Sequence, residues 1–179
     1  VERERHGFDY DDEQAVAKQM AAIKQDIVVL KDHPALLMWG IGNELNLRHK
    51  NPKVWDAVND LSKMIHQIDP NHPTTTMLAG AEPEVIALVA ESCPDLDLLS
   101  FQIYGAIDKL PGFLQESNYK GAYMITEWGA TGHWECDSTS WDRPIEANSS
   151  VKANNYHARY VDYIAADTKQ CIGSFVFLW

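Results

Sequence analysis

The sequence predicts an α/β fold built on a parallel sheet, and two observations carry that. Helical and strand signals alternate along all 179 residues, the trace left by parallel strands joined through crossover helices. The clearest strand segment, Leu36 to Ile41, is a short unbroken apolar run, as a strand covered on both faces requires. Two architectures satisfy this pattern: an open doubly wound sheet and a β/α barrel.

The elements follow in order. Asp11 to Lys31 reads as an amphipathic helix, because Val16, Met20, Ile23, Ile27 and Leu30 recur at three- and four-residue spacing. Asp32-His33-Pro34 ends it, since proline disfavours helix in the residue before it. After the strand at Leu36 to Ile41, Pro52 to Ile68 is helical, with Val54, Val58, Leu61, Ile65 and Ile68 on one face. The cluster Asp69-Pro70-Asn71-His72-Pro73 is a turn. Thr74 to Leu78 is a strand, Glu82 to Ser92 a helix and Leu96 to Ile103 a strand. Pro111 to Ser117 is a short helical stretch before a strand at Ala122 to Thr126. A long polar and aromatic segment, Gly129 to Asn148, leads into a helix at Ser149 to Thr168 and a last strand at Ile172 to Leu178.

Composition removes several function classes. No apolar run approaches the roughly 20 residues of a membrane helix. The formal net charge is -11, which argues against nucleic-acid binding through Lys and Arg. Cys93, Cys136 and Cys171 are widely spaced and read as isolated structural thiols. His33, His66, His72 and His157 show no pairing at ligand spacing, so neither a metal nor another cofactor is expected. Gly40-Ile41-Gly42 lacks the third glycine of a dinucleotide loop, and no G-x-S-x-G nucleophile elbow occurs. The chain opens at Val1 and stops inside an apolar run, so truncation at both ends is expected.

The chemistry lies in two acids. Trp39-Gly40-Ile41-Gly42-Asn43-Glu44 puts a carboxylate just past the C-terminal end of an apolar strand. Met124-Ile125-Thr126-Glu127-Trp128-Gly129 does the same at a later strand, with two strands between them. In β/α barrels the active site is assembled at those strand ends, so Glu44 and Glu127 would face one another across the mouth. One strand-end Glu is often a salt bridge or a solvated loop acid. Two in matching aromatic-glycine settings suit glycoside hydrolysis, which needs one acid to protonate the leaving oxygen and another to attack the sugar or activate water.

At these residues the chain resembles the clan of retaining (β/α)8 TIM-barrel glycosidases, and most closely glycoside hydrolase family 2. Trp39 to Glu44, approached through His33-Pro34-Ala35-Leu36, is similar to that family's fourth-strand motif; Ile125 to Gly129 is similar to its seventh-strand nucleophile motif. The resemblance implies an incomplete barrel, from about strand 4 to strand 8 with the preceding helix. Residues 1–179 would then be the C-terminal part of a TIM-barrel catalytic domain, truncated at both ends.

The resemblance also implies roles. Glu44 would be the acid/base and Glu127 the nucleophile of a retaining β-glycosidase, with Asn43 hydrogen-bonding the sugar 2-hydroxyl. Tyr104 matches the sixth-strand tyrosine that contacts the nucleophile. Gln102 departs from relatives that carry histidine there. Trp179 resembles the platform under the reacting sugar, and Trp128 sits in the nucleophile motif. His133, Trp134 and Trp141 would form outer sugar subsites, and Arg5 and His6 would lie near the end of an absent third strand. The implied partner is an oligo- or polysaccharide, with a periplasmic or extracellular setting favoured by resemblance alone. The alternatives are a transglycosylase on the same barrel and a non-catalytic carbohydrate-binding barrel. The isolated polypeptide is expected to be inactive and marginally stable, lacking three strands of the barrel.

Overall fold

The computed structural model describes residues 1–177, and shows an α/β fold around one sheet. Five strands, β1 (Trp39–Asn43), β2 (Thr74–Ala79), β3 (Leu98–Gln102), β4 (Tyr123–Trp128) and β5 (Cys171–Val176), lie side by side in that order. Each pairs its neighbour in parallel. Helix α1 (Glu13–Leu30) precedes β1; α2 (Lys53–Ile68), α3 (Pro83–Ser92), α4 (Leu110–Glu116) and α5 (Ser149–Arg159) connect the strands. This order separates the two architectures. A doubly wound sheet reverses its strand order at a switch point, and here each strand is laid beside the one before it, as in barrel winding.

The core lies between sheet and helices. Helix α2 buries Val54, Trp55, Val58, Leu61 and Ile65, and α3 buries Ile86 and Val89. Facing them are Phe101 of β3 and Ile125 of β4, both fully buried. Strand alternation gives β3 two faces: Leu99 and Phe101 on one, Ser100 and Gln102 on the other. The Ser100 hydroxyl meets that of Thr75 on β2 at 2.8 Å. Exposed apolar residues include some at the two sheet edges: Leu37 just before β1, and Ile172, Phe175 and Phe177 on and after β5. A closed barrel covers such edges with further strands.

Boundaries shift where burial and pairing part company. The first strand begins at Trp39, not Leu36. His33 folds the preceding residues into a turn, accepting from the Leu36 N–H at its carbonyl (3.0 Å) and from the Ala35 N–H at Nδ1 (3.1 Å), and Leu37 is left exposed. Leu30, expected on the buried face of α1, is also exposed. The last helix is shorter than its polar pattern implies: α5 ends at Arg159 and continues as a single π turn to Ile164.

Asp69, below the N-terminal ends of β1 and β2, is a buried anchor. Its carboxylate accepts from Trp39 Nε1 (2.8 Å), His72 Nδ1 (2.8 Å) and the Asn71 N–H (3.2 Å). Burial alone would raise its pKa, but these donors together hold it below the usual range. A depressed folded pKa gives stability that is present above the unfolded value and lost as pH falls through the folded one. Asp69→Ala is therefore expected to lower stability by about 1–3 kcal/mol at neutral pH, because it strands buried donors. Urea unfolding checks this: the midpoint falls at constant slope, and the gap to wild type closes in acid.

Candidate active site

The end of β1 is bent to project its acid. Gly42 has φ 78° and Glu44 φ 52°, both left-handed. At Gly42 a Cβ would also strike the Leu45 side chain at 2.5 Å. For Glu44 the left-handed conformation costs about 1–2 kcal/mol, and such strain persists only where surrounding bonds hold it. Here they do. The Glu44 N–H donates to the Met77 carbonyl at 2.8 Å, Asn46 brackets Ala79 through its N–H and carbonyl, and Leu45 is buried beneath.

Four side chains then converge. Gln102, 5% exposed at the end of β3, donates from Nε2 to Asn43 Oδ1 at 2.5 Å and to Glu127 Oε1 at 2.7 Å. Tyr104 donates its hydroxyl to Glu127 Oε2 at 2.8 Å. A register shift between Phe101 and Gln102 sets Gln102 opposite Glu127 on β4; bulges of this kind re-aim side chains. Each Glu127 oxygen thus receives one donor, which orients the carboxylate.

Glu44 is in a different environment. Its pKa is raised, first by burial and further by the charge of Glu127, against the opposing pull of Arg3. Arg3 and Arg5 stand 3.8 and 3.6 Å from Glu44 Oε2. Tyr104 is pushed up by burial, then by its bond to Glu127 and the charges of both acids, so it remains a neutral donor. The two carboxyls thus stand in unlike surroundings, Glu44 with its pKa raised and Glu127 held by two donors.

The remaining expected residues divide. Trp134, 62% exposed, sets its ring edge-on to Tyr104 at 5.2 Å. It walls a cleft of about 570 Å³ that also contains Glu44, Gln102 and Phe113. His133 lies outside it, edge-on to Trp134 at 5.0 Å. His6 lines a separate cavity of about 530 Å³ beside Arg3 and Asn43. Trp128 is not brought to this cluster. It is buried against Tyr156 and Tyr160 (5.8 and 6.0 Å), because alternation turns the residue after Glu127 to the helix side. Trp141 is 72% exposed. Trp179 lies outside the described residues.

Two contributors escaped sequence reasoning. Arg3 carried no motif. Glu135 accepts from the Gly105 N–H (2.9 and 3.0 Å) and the Gly132 N–H (2.8 Å), tying the loop after β4 to the loop after β3. An acid followed by no helix gives no warning of such a staple. Among the described residues, no cluster of three or more His, Cys, Asp or Glu side chains is arranged to hold a metal ion, and no helix is long and apolar enough to cross a membrane.

Fold and site define a parallel β/α barrel protein that presents two carboxylates at the C-terminal ends of its strands. Residues 4–133 match the family profile described as glycosyl hydrolases family 2, TIM barrel domain. The chain belongs to this family, and its five parallel strands are an incomplete TIM barrel. No curated protein matches it. Among solved structures it is similar to an FMN-binding β-glucuronidase from Facaelibacterium prausnitzii L2-6, at 24% identity and TM-score 0.68 over 91% of this chain and 26% of that one. It is also similar to a β-D-glucuronidase from Dictyoglomus thermophilum (15% identity, TM-score 0.66, 92% of this chain, 29% of that one). A family 2 β-galacturonidase from Eisenbergiella tayi, bound to galacturonate, is alike at 14% identity and TM-score 0.66, over 93% and 30%. At these identities the likeness shows the fold alone. The chain spans between a quarter and a third of the length of these three.

Proposed function

We propose that this chain supplies strands 4 to 8, with the preceding helix, of a glycosidase barrel, and both catalytic carboxylates of a retaining β-glycoside hydrolase. The observation that carries the reading is the unequal treatment of the two acids. Glu127 is held by two donors, Tyr104 and Gln102, as an aimed nucleophile must be. Glu44 is partly buried beside a second carboxylate, and its pKa is raised, as suits a proton donor.

The steps follow from those states. A Glu127 oxygen bonds to the anomeric carbon while the bond to the leaving oxygen breaks, and Glu44 passes its proton to that oxygen. Glu44, now a carboxylate, takes a proton from water as the water oxygen bonds to the same carbon. The glycosyl ester on Glu127 is released, and both acids return to their starting states. Asn43 would hydrogen-bond the sugar 2-hydroxyl, a contact that strengthens as charge develops on the ring. Trp134 would wall the leaving-group side. The substrate class is a carbohydrate, and the uronidases among the similar structures are the reason to begin a panel with β-uronides.

The test uses the polypeptide in which the barrel is complete. A panel of 2-fluoro glycoside inactivators, β-uronides included, is expected to label Glu127, located by mass spectrometry. Labelling at another residue, or none across the panel, would overturn the reading.

A further inference from the structure

Gln102 carries more than its place in the strand requires. It is buried, its Oε1 has no hydrogen-bond partner, and both hydrogens of its amide are used, one on Asn43 and one on Glu127. Leaving a buried carbonyl oxygen unpaired is unfavourable, so something fixes the amide in this sense. Glu127 does. An ionised carboxylate only accepts, so the Gln102 group facing it must be the NH₂. That NH₂ also faces Asn43, so Asn43 must present its oxygen, because two NH₂ groups cannot bond one another. The Asn43 Nδ2 is thereby turned away from Gln102 and left as a donor.

We propose that Gln102 is a positioning residue that sets the sense of the Asn43 amide, so that Asn43 donates to the 2-oxygen of the bound sugar. This rests on the glycosidase reading above. The charge on Glu127 fixes Gln102, and Gln102 fixes Asn43, so nucleophile and 2-oxygen donor are aligned by one neutral link. Glutamine serves here because it offers two hydrogens at once without titrating. A neutral imidazole donates one hydrogen only, so histidine at 102 could serve Glu127 or Asn43 but not both unless protonated.

The readout is selectivity at the 2-position. In the barrel protein, kcat/KM is measured on matched aryl glycosides with a 2-hydroxyl and with a 2-deoxy sugar. Gln102→Met keeps the side-chain volume and removes both donors. It is expected to cut the preference for the 2-hydroxy substrate by about tenfold, the size of one lost charge-assisted contact in the transition state. Gln102→His is expected to recover part of that preference, more at low pH than at high. Equal losses on both substrates, with melting unchanged, would overturn the proposal, as would an unchanged ratio. Should Gln102→Met melt early, Gln102→Leu, which also removes both donors at similar volume, supplies the reading. Wild-type protein that no inactivator labels removes the glycosidase reading, and this proposal with it; labelled wild type with an unaltered ratio in the variants removes this proposal alone.

Discussion

Glu127→Gln is expected to reduce kcat by roughly 10⁴–10⁶-fold, the range seen when a covalent nucleophile is removed. The loss should be the same for aryl and alkyl glycosides, because the missing bond is the one to the sugar, whatever leaves. The substitution keeps shape and removes charge. It also sets an amide nitrogen toward one of two donors, Tyr104 or Gln102, where the carboxylate had accepted from both. A modest fall in melting temperature is therefore expected beside the catalytic loss. Steady-state rates on two substrates of unlike leaving group, with a melting curve, check this. Retention of more than roughly one per cent of turnover would remove Glu127 from the nucleophile position.

How much of this was legible beforehand follows from what each residue type reports. Glu44 and Glu127 stood out because each ends an apolar run, and strand ends are where a barrel puts its reactive groups. Asn43 and Tyr104 were singled out by the resemblance to glycoside hydrolase family 2 rather than by position. Trp128 falls away from the cluster because adjacency in sequence is opposition in a strand: one residue past Glu127 lies the helix face, where Tyr156 and Tyr160 receive it. The start of β1 was misplaced because apolarity reports burial while pairing depends on backbone partners, and Trp39 is the first residue to find one, at Pro73. Arg3 and Glu135 act through loops whose folding no period encodes. Gln102 could be noted as unusual from sequence, but its two-sided amide bond depends on a register shift. Apart from the family resemblance, barrel and open sheet were separable only by strand order, a relation between distant segments.

Glu44→Ala carries the second large effect, and its signature differs from that of Glu127. Protonation of the leaving oxygen matters most when that oxygen is basic. With alkyl or sugar leaving groups, kcat/KM is expected to fall by about 10²–10⁴-fold, the usual contribution of a positioned acid. With dinitrophenyl leaving groups, which depart as anions, kcat/KM should change little. The second half-reaction still needs a base, so kcat on those substrates falls, the glycosyl ester on Glu127 accumulates, and a burst of phenol precedes slow turnover. Azide, which attacks without surrendering a proton, is expected to restore that turnover. The pH profile gives an independent check. Burial raises the Glu44 pKa and Glu127 raises it further, while Arg3 pulls it down. Wild-type kcat/KM on a poor leaving group should therefore decline only above the ordinary carboxylate range, as Glu44 loses its proton, and the variant should lack that limb. A uniform loss across leaving groups, with the limb intact, would mean that Glu44 serves the fold at the end of β1 and that the proton comes from another group.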